Sequence, residues 1–253
     1  VAAARVITGL IGWLCSAVRL DGLLGFVMVS QFAGARLTKN VWRGLMRLGH
    51  YLVSTSHICL CFHPSPTGDA AENFVASGDS SCLNGPVPGS SYGGFVLQYP
   101  GSGAFAVKCL SPRKLTDSSG GAELIVACLL AKQIIAFRMF LSELGLPQHG
   151  PTVAATDSNV VMQGAEMERV SQVSRWLAGR LGIVRQIIYD GLMVFGKEKS
   201  KDIVADITSK GIAKLSHFAR LRDKLMGTRD GAAAGMVNVV VDAAPSPSPV
   251  PHA

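Results

Sequence analysis

The chain has 253 residues, of which 48% are hydrophobic, and it carries a net charge of +7. This length predicts one domain with an appendage, and the hydrophobic content is ample for a buried core. The positive charge suits a polyanionic partner, because Lys and Arg displace counterions from phosphates. Basic residues that serve solubility alone would give the same total, so the charge by itself indicates nucleic-acid binding only weakly.

The six cysteines lack the spacing of a zinc site, which excludes the common zinc-binding modules. We expect all six to be free thiols, mostly buried, in a reducing compartment. They are Cys15, Cys59, Cys61, Cys82, Cys109 and Cys128. Cys59 and Cys61 lie two positions apart on a predicted strand, which places both on one face that we expect to be buried.

The N-terminal part predicts a small bundle of packed helices. The predicted helices span residues 6–17, 21–32 and 39–54. Arg5 and Asp21 interrupt the apolar runs, so neither run reaches the roughly 20 apolar residues of a membrane span, and we expect no membrane association. A signal peptide starting near Arg5 is the alternative interpretation. A short strand over residues 57–62 is predicted to follow.

Residues 64–72 are rich in Pro, Ser, Gly and acidic residues, which predicts a linker. A first strand is predicted over residues 74–77. Residues 92–99 and 104–109 are rich in aromatic and β-branched residues and are separated by a Pro-Gly-Ser-Gly turn, which predicts a hairpin beside the first strand.

A long segment free of Pro and Gly, residues 122–144, predicts a central helix with Glu123 in its first turn. A fourth strand over residues 152–156 and a fifth over 192–195 follow, and a last helix is predicted over 203–226. These elements predict a mixed α/β sheet with its site at the carboxyl edge of the strands. The chain after residue 227 is rich in Gly, Ala, Ser and Pro, which predicts a disordered tail at 228–253.

Four acidic residues lie where predicted strands end or helices begin: Asp79, Glu123, Asp157 and Asp206. Parallel neighbouring strands end at the same edge of a sheet, so Asp79 and Asp157 should lie close together. Hard cations such as Mg²⁺ prefer oxygen ligands, which makes the four acids a candidate carboxylate cage. Each acid taken alone is more often a helix cap or a solvated side chain.

Six short segments resemble one family in the order in which that family has them. Residues 118–123 are similar to its Ser-Ser-Thr-Glu-Ala-Glu segment, and residues 157–159 to its Asp-Asn strand end. Residues 202–210 are similar to Gln-Leu-Ala-Asp-Ile-Leu-Thr-Lys, and residues 79–82 stand where the family has Asp-Ala-Asp-Trp. Residues 37–43 and 47–55 resemble Pro-Thr-Lys-x-x-Trp and Arg-Tyr-Leu-Lys-Gly-Thr. The family is the ribonuclease H domain of copia-type LTR retrotransposon polyproteins, with the end of the reverse transcriptase in front; the resemblance spans about residues 6–227.

The resemblance implies an α/β ribonuclease H-like mixed five-stranded sheet flanked by helices, over residues 73–227. A small helical polymerase-tail segment, residues 1–63, would precede it. The implied activity is hydrolysis of the RNA strand of an RNA–DNA hybrid by two Mg²⁺ ions about 4 Å apart, with Mn²⁺ as a substitute. Asp79, Glu123, Asp157 and Asp206 would be the metal ligands and catalytic residues.

Further expectations follow from the resemblance. Ser80, Ser81 and Asn159 would contact substrate, where 2′-hydroxyls identify the RNA strand, although such residues beside a strand end commonly satisfy backbone groups. The remainder of the reverse transcriptase polyprotein would be a partner. The location would be the cytoplasm, in the virus-like particle of a retroelement, with the nucleus as a second possibility.

The sequence also departs from the family. Ser81 replaces its second aspartate near the first ligand, and Gly121 replaces the first glutamate of Glu-Ala-Glu. These losses keep open a degenerate, catalytically silent domain that binds nucleic acid or acts as a scaffold. An integrase of the same superfold is a weaker alternative, because that class carries its glutamate last. The chain has no Tyr-x-Asp-Asp, so by itself it cannot polymerise.

Overall fold

The computed structural model describes residues 2–33, 37–64, 73–82, 91–111, 118–166 and 177–228. The three predicted N-terminal helices are confirmed as α1 (Ala2–Ala17), α2 (Leu23–Ser30) and α3 (Lys39–Ser54), with a short 3-10 turn at Leu20–Gly22. Thr38 caps α3, since its hydroxyl accepts a hydrogen bond from the Val41 amide. The helices share a buried apolar cluster that also receives Val107 and Cys109 from the sheet.

The predicted strand over residues 57–62 is wrong. Residues 58–64 have no regular secondary structure. Their backbone groups bind other loops instead: the Cys61 amide donates to the Met226 carbonyl at 2.8 Å, and the Cys61 carbonyl accepts from the Gly103 amide at 2.8 Å. The segment is therefore a connector fixed between the hairpin turn and the C-terminal helix.

The cysteine predictions are confirmed in part. All six thiols are free. Only Cys15 and Cys128 are fully buried, whereas Cys59 is exposed and the other three are partly buried. The expected buried face shared by Cys59 and Cys61 is wrong, because the strand that would have created it does not form.

A mixed five-stranded sheet is the centre of the molecule. Its strands are β1 (Val75–Ser81), β2 (Tyr92–Gln98), β3 (Ala104–Leu110), β4 (Thr152–Thr156) and β5 (Met193–Lys197), in the order β3-β2-β1-β4-β5. β1, β2 and β3 pair antiparallel, and β4 is parallel to both β1 and β5. This is the strand order of the ribonuclease H fold, as predicted.

Helices cover both faces of the sheet. On one face lie α4 (Ser119–Glu143), α5 (Asn159–Glu166) and α6 (Ala178–Tyr189), which bury a cluster that includes Phe74, Leu97, Leu130, Ile134 and Met193. On the other face lie α7 (Asp206–Ser209) and α8 (Leu215–Met226), whose apolar cluster includes residues of the N-terminal segment. In the part of the chain that the structure describes, α4 is the one helix with the length and apolar composition of a membrane span, and it packs against the sheet.

Three element boundaries differ from the sequence predictions. α4 begins at Ser119, capped by the Ser118 hydroxyl, so Glu123 lies in its second turn rather than its first. β1 continues to Ser81, so Asp79 lies inside the strand and not at its end. The predicted helix over 203–226 is two helices, because Lys210 adopts an extended backbone (φ −142°, ψ 150°) immediately after α7.

The predicted linker and tail fall largely on residues 65–72 and 229–253, which lie outside the described residues. The domain division at residues 63 and 73 therefore stays a prediction. In the described chain the two parts share buried clusters: Leu20 and Ile58 pack with Val96 and Leu225.

Candidate active site

Asp79 occupies the middle strand of the sheet, where β1 is flanked by β2 and β4. The residue is 5% exposed. Side chains alternate along a strand, so Asp79 and Ser81 share one face while Gly78 and Ser80 share the other. A Cβ at Gly78 would meet Leu130 and Val126, which shows that this second face carries α4. Asp79 therefore faces the side on which α7 packs.

The short helix α7 supplies three groups to this place. Ser209 donates a hydrogen bond through its hydroxyl to Asp79 Oδ2. Asp206, the first residue of α7, is 3% exposed. The Lys210 ammonium lies 2.9 Å from Asp206 Oδ1 and 3.5 Å from Asp79 Oδ2. A lysine thus bridges two buried carboxylates that are 127 residues apart in sequence (206 − 79).

Glu123 and Asp157 lie on the other side of Asp79. Asp157 directly follows β4, as predicted, and Glu123 projects from α4. Ser158 donates a hydrogen bond to Glu123 Oε2, and its hydroxyl also accepts one from the Val161 amide at 3.2 Å. Asp79, Glu123, Asp157 and Ser158 border a small cavity of about 10 Å³, enough for roughly one water-sized species.

The pKa values of these acids reflect burial and crowding of like charge. Burial raises the pKa of Asp79, Glu123 and Asp206, and the Asp157 charge raises all three further. The Lys210 ammonium acts in the opposite direction on each. Burial lowers the pKa of Lys210 itself, but the surrounding carboxylates outweigh this, so the net pKa is raised. The four acids therefore share one electrostatic environment.

The carboxylate oxygens of this site suit a hard cation, and the Lys210 ammonium already lies among them. Carboxylate oxygens are the ligands that Mg²⁺ prefers. The Lys210 ammonium stands between Asp79 and Asp206, where uncompensated negative charge would be costly to bury. Within the described ranges, no three His, Cys, Asp or Glu side chains have the mutual geometry of a ready metal site. The residues thus fit a divalent cation by their chemistry, without forming a closed ligand set beforehand.

The three predicted substrate contacts are not brought together. Ser80 lies on the sheet face opposite Asp79, and its hydroxyl is buried without a hydrogen-bond partner. Ser81 is 5% exposed and donates to the Tyr92 carbonyl. Asn159 is exposed at the start of α5, and its side-chain oxygen accepts a hydrogen bond from Lys197 at 2.6 Å. Of the three, Asn159 is the one available to a ligand.

Sequence reasoning missed Ser158, Ser209 and Lys210 as site residues. Ser158 directly follows Asp157, and Ser209 and Lys210 follow Asp206 within four positions. A four-residue separation such as that of Asp206 and Lys210 is typical of neighbours on a helix surface. That spacing was the available signal.

Comparisons with known proteins yield fold-level likeness only. No protein-family model matches the sequence, and a search of curated proteins finds no significant match. The structure is similar to LC11-RNase H1, solved in complex with an RNA/DNA hybrid, at 13% identity and a TM-score of 0.42, covering 54% of this chain and 94% of that one. It is similar to RNase H1 from the archaeon Halobacterium salinarum NRC-1 at 14% identity and a TM-score of 0.41, covering 54% and 94%.

A viral protein is also among the similar structures. The foamy viral protease-reverse transcriptase, solved in complex with dsDNA, matches at 14% identity and a TM-score of 0.35, covering 65% of this chain and 95% of that one. At these identities and TM-scores the matches carry no argument about activity. The fold assignment therefore depends on the strand order and pairing described above.

Proposed function

We propose that this chain is a divalent-metal-dependent endoribonuclease that hydrolyses the RNA strand of RNA–DNA hybrids, as part of a copia-type retrotransposon polyprotein. The observation that carries the proposal is the convergence of four acids from separate elements at one edge of the sheet. Asp79 comes from β1, Glu123 from α4, Asp157 from the end of β4, and Asp206 from α7. Order along the chain and position in the fold both match what the family resemblance implies.

Mg²⁺ or Mn²⁺, when bound, would activate water and stabilise the charge that develops at phosphorus. The resemblance implies two ions, which Asp79, Glu123, Asp157 and Asp206 would hold. The chain's own hydroxyls fix the orientation of two of these ligands: Ser209 holds Asp79, and Ser158 holds Glu123. Such support keeps a carboxylate in place before a ligand arrives, which lowers the cost of binding.

The same edge of the sheet carries basic and polar groups suited to a nucleic acid backbone. Lys197 ends β5 and is exposed, and it donates a hydrogen bond to Asn159, which lies two residues after Asp157. Lys199 and Lys201 follow and are also exposed. These ammonium groups can bind phosphates of the hybrid, and the Asn159 amide can bind a sugar or base group.

The remainder of the reverse transcriptase is the proposed protein partner, in a virus-like particle in the cytoplasm or in the nucleus. An exposed apolar stripe on α1 supports such a partner. Val6, Leu10 and Trp13 are 63%, 62% and 68% exposed and lie three to four residues apart. Exposed apolar groups arranged in this way are typical of a surface that packs against another segment.

The test is cleavage of an RNA–DNA hybrid with a label on either strand, by the full chain with Mg²⁺. We expect cutting of the RNA strand alone. Asp79→Asn should lower the rate at least about 100-fold. Loss of a group that only supports a metal ligand already costs up to about 100-fold, and Asp79 is a proposed ligand itself. Asp190→Asn is the matched control, because Asp190 is exposed at the end of α6 and accepts a hydrogen bond from Gln186. A folded chain that binds the hybrid but never cuts it would refute the proposal.

That outcome would support the second candidate, a silent nucleic-acid-binding module. The observation that favours it is the lack of a ready group of three metal-binding side chains in the described parts. The loss of accessory acids at Ser81 and Gly121 points in the same direction. A silent module should bind the hybrid no more tightly with Mg²⁺ than without it, because its affinity would come from phosphate contacts, for which Mg²⁺ competes.

A further inference from the structure

Lys210 is placed in the carboxylate cluster by the backbone, and this placement is specific to its position after α7. Its amide donates to the Asp206 carbonyl at 3.1 Å, which closes the last turn of α7. Lys210 itself has an extended backbone, so the helix ends there and its side chain contacts Asp79 on the sheet. The result is an ammonium group tethered at a fixed point between Asp206 and Asp79.

Lys210 forms ion pairs with both carboxylates. The Lys210 ammonium pairs with Asp206 Oδ1 at 2.9 Å, and its contact with Asp79 Oδ2 is longer, at 3.5 Å. The Asp206 and Asp79 side chains are 5% and 4% exposed, whereas Lys210 is 34% exposed. The lysine therefore covers the two carboxylates from the solvent side.

Asp79 divides the cluster into two halves. On one half, Asp79 and Asp206 share the Lys210 ammonium. On the other half, Asp79, Glu123 and Asp157 border the cavity that has room for about one water-sized species. The half with Asp206 therefore contains a positive charge, whereas none of the residues that line the cavity in the other half is positively charged.

We propose that Lys210 is a tethered cation that takes the place of one of the two metal ions, so that this chain binds a single divalent cation, on the side of Asp79, Glu123 and Asp157. This inference is based on the proposed metal-dependent function. An ammonium group cannot coordinate and activate water as a metal ion does. The role of Lys210 is therefore to neutralise Asp79 and Asp206 and to exclude a second ion. The divalent cation on the other half then supplies the metal chemistry.

The test counts ions without measuring catalysis. Titration calorimetry with Mg²⁺, and electron paramagnetic resonance of free Mn²⁺, would give the number of ions bound by the full chain. Wild type should bind one. Lys210→Met keeps most of the side-chain length but removes the charge, so the Asp79–Asp206 pair should accept a second ion and the count should rise to two.

Two control variants separate charge from packing. Lys210→Arg keeps the positive charge and should stay at one ion. Lys214→Met removes an exposed lysine four residues further along and should also stay at one. Because Lys210→Met leaves two carboxylates uncompensated, its unfolding temperature without metal should fall below that of wild type and recover when Mn²⁺ is added.

The outcomes distinguish this inference from the proposed function. Two ions on wild type, or one ion on folded Lys210→Met, would overturn the tethered-cation role and leave a metal-dependent nuclease intact. No ion on either folded protein would overturn both. One ion on wild type and two on Lys210→Met would support the inference even if no hybrid were cut.

Discussion

Ser209 donates a hydrogen bond to Asp79 across 130 residues of sequence, and this bond joins the central strand to the short helix α7. Asp79 is buried on the sheet, and Ser209 is completely buried beneath it. The same helix begins with Asp206, so the bond also sets the distance between two of the proposed ligands. The site is therefore built by docking α7 onto the sheet.

Replacement of Ser209 by alanine should weaken that docking. A hydrogen bond to a charged group is worth about 2 kcal/mol, and its loss would leave Asp79 Oδ2 with the Lys210 ammonium alone. The free energy of unfolding, measured with urea, should fall by about that amount. Ser216→Ala, at an exposed position on α8, should change it by less than about 0.5 kcal/mol. Equal effects of the two substitutions would contradict the structural role of Ser209.

Much of the fold could be predicted because its signals are local. The predicted runs identified all five strands of the sheet approximately, and a long segment free of Pro and Gly identified α4. The parallel pairing of β1 with β4 followed from the crossover between them, and it correctly places Asp157 at the sheet edge next to β1. These features depend on period and order along the chain.

The rest could not be predicted because it depends on tertiary contacts. The run over residues 57–62 looks like a strand, but its carbonyl and amide at Cys61 bind Gly103 and Met226 rather than a neighbouring strand. The end of α7 is one example: Lys210 adopts an extended backbone there, and its ammonium contacts carboxylates on β1 and α7. The four-residue spacing of Asp206 and Lys210 is a local signal, but no local pattern indicates the contact of Lys210 with Asp79.

Gly94 allows α7 to approach the sheet. It lies opposite Asp79 in the β1–β2 register, and a Cβ there would overlap Thr208 Oγ1 of α7 and the Lys108 carbonyl of β3. Gly94→Ala should therefore lower the free energy of unfolding by about 1–3 kcal/mol, as overpacking does. It should also weaken Mg²⁺ binding, since displacement of α7 would break the hydrogen bond by which Ser209 orients Asp79. Both quantities can be measured by urea unfolding and calorimetry.

A second glycine provides the control for Gly94. Gly182 lies on α6, and no atom of the described residues comes within 4 Å of a Cβ added there. Gly182→Ala should stabilise the protein by up to about 1 kcal/mol, because alanine favours the helical backbone. If Gly94→Ala were also neutral or stabilising, close contact between α7 and β2 would not be needed.

Arg19 and Asp21 form a buried ion pair that anchors the N-terminal helices. The guanidinium contacts both carboxylate oxygens, at 3.0 and 2.9 Å, and also donates to the Leu52 and Thr55 carbonyls. Arg19→Met should cost about 3–5 kcal/mol, because it leaves the Asp21 carboxylate buried without its partner. Urea unfolding would measure the loss.

The matching double variant tests the reason for that cost. Arg19→Met combined with Asp21→Asn removes the unpaired charge and should recover part of the stability. Tyr51 hydrogen-bonds Asp21 and packs edge-on against Phe218 of α8, with ring centroids 6.0 Å apart. We therefore expect a single cooperative transition for the N-terminal helices and the sheet. A double variant no more stable than the single one would argue against the charge-burial explanation.

Glu198 should make stability depend on pH. Burial raises the pKa of its carboxyl to about 7. The charged groups that act on it, in addition to burial, are Lys224, Asp202, Arg220 and Asp206. In the unfolded chain a glutamate has a pKa of about 4.3, so between about pH 4.3 and 7 the folded state holds a proton that the unfolded state has lost. The free energy of unfolding should therefore fall as pH rises through this window.

Glu198→Gln should remove this dependence. At pH 8 the variant should be more stable than wild type by about 1–2 kcal/mol, a value reduced from the full pKa shift because the carboxyl is partly exposed to solvent. At pH 4.5 the difference should nearly vanish, since the wild-type carboxyl is protonated in the folded state. Glu143→Gln, at an exposed position near the end of α4, should show no such trend. Thermal unfolding of the three proteins from pH 4.5 to 8 measures the effect, and a constant difference across that range would mean that Glu198 is ionised in the folded protein throughout.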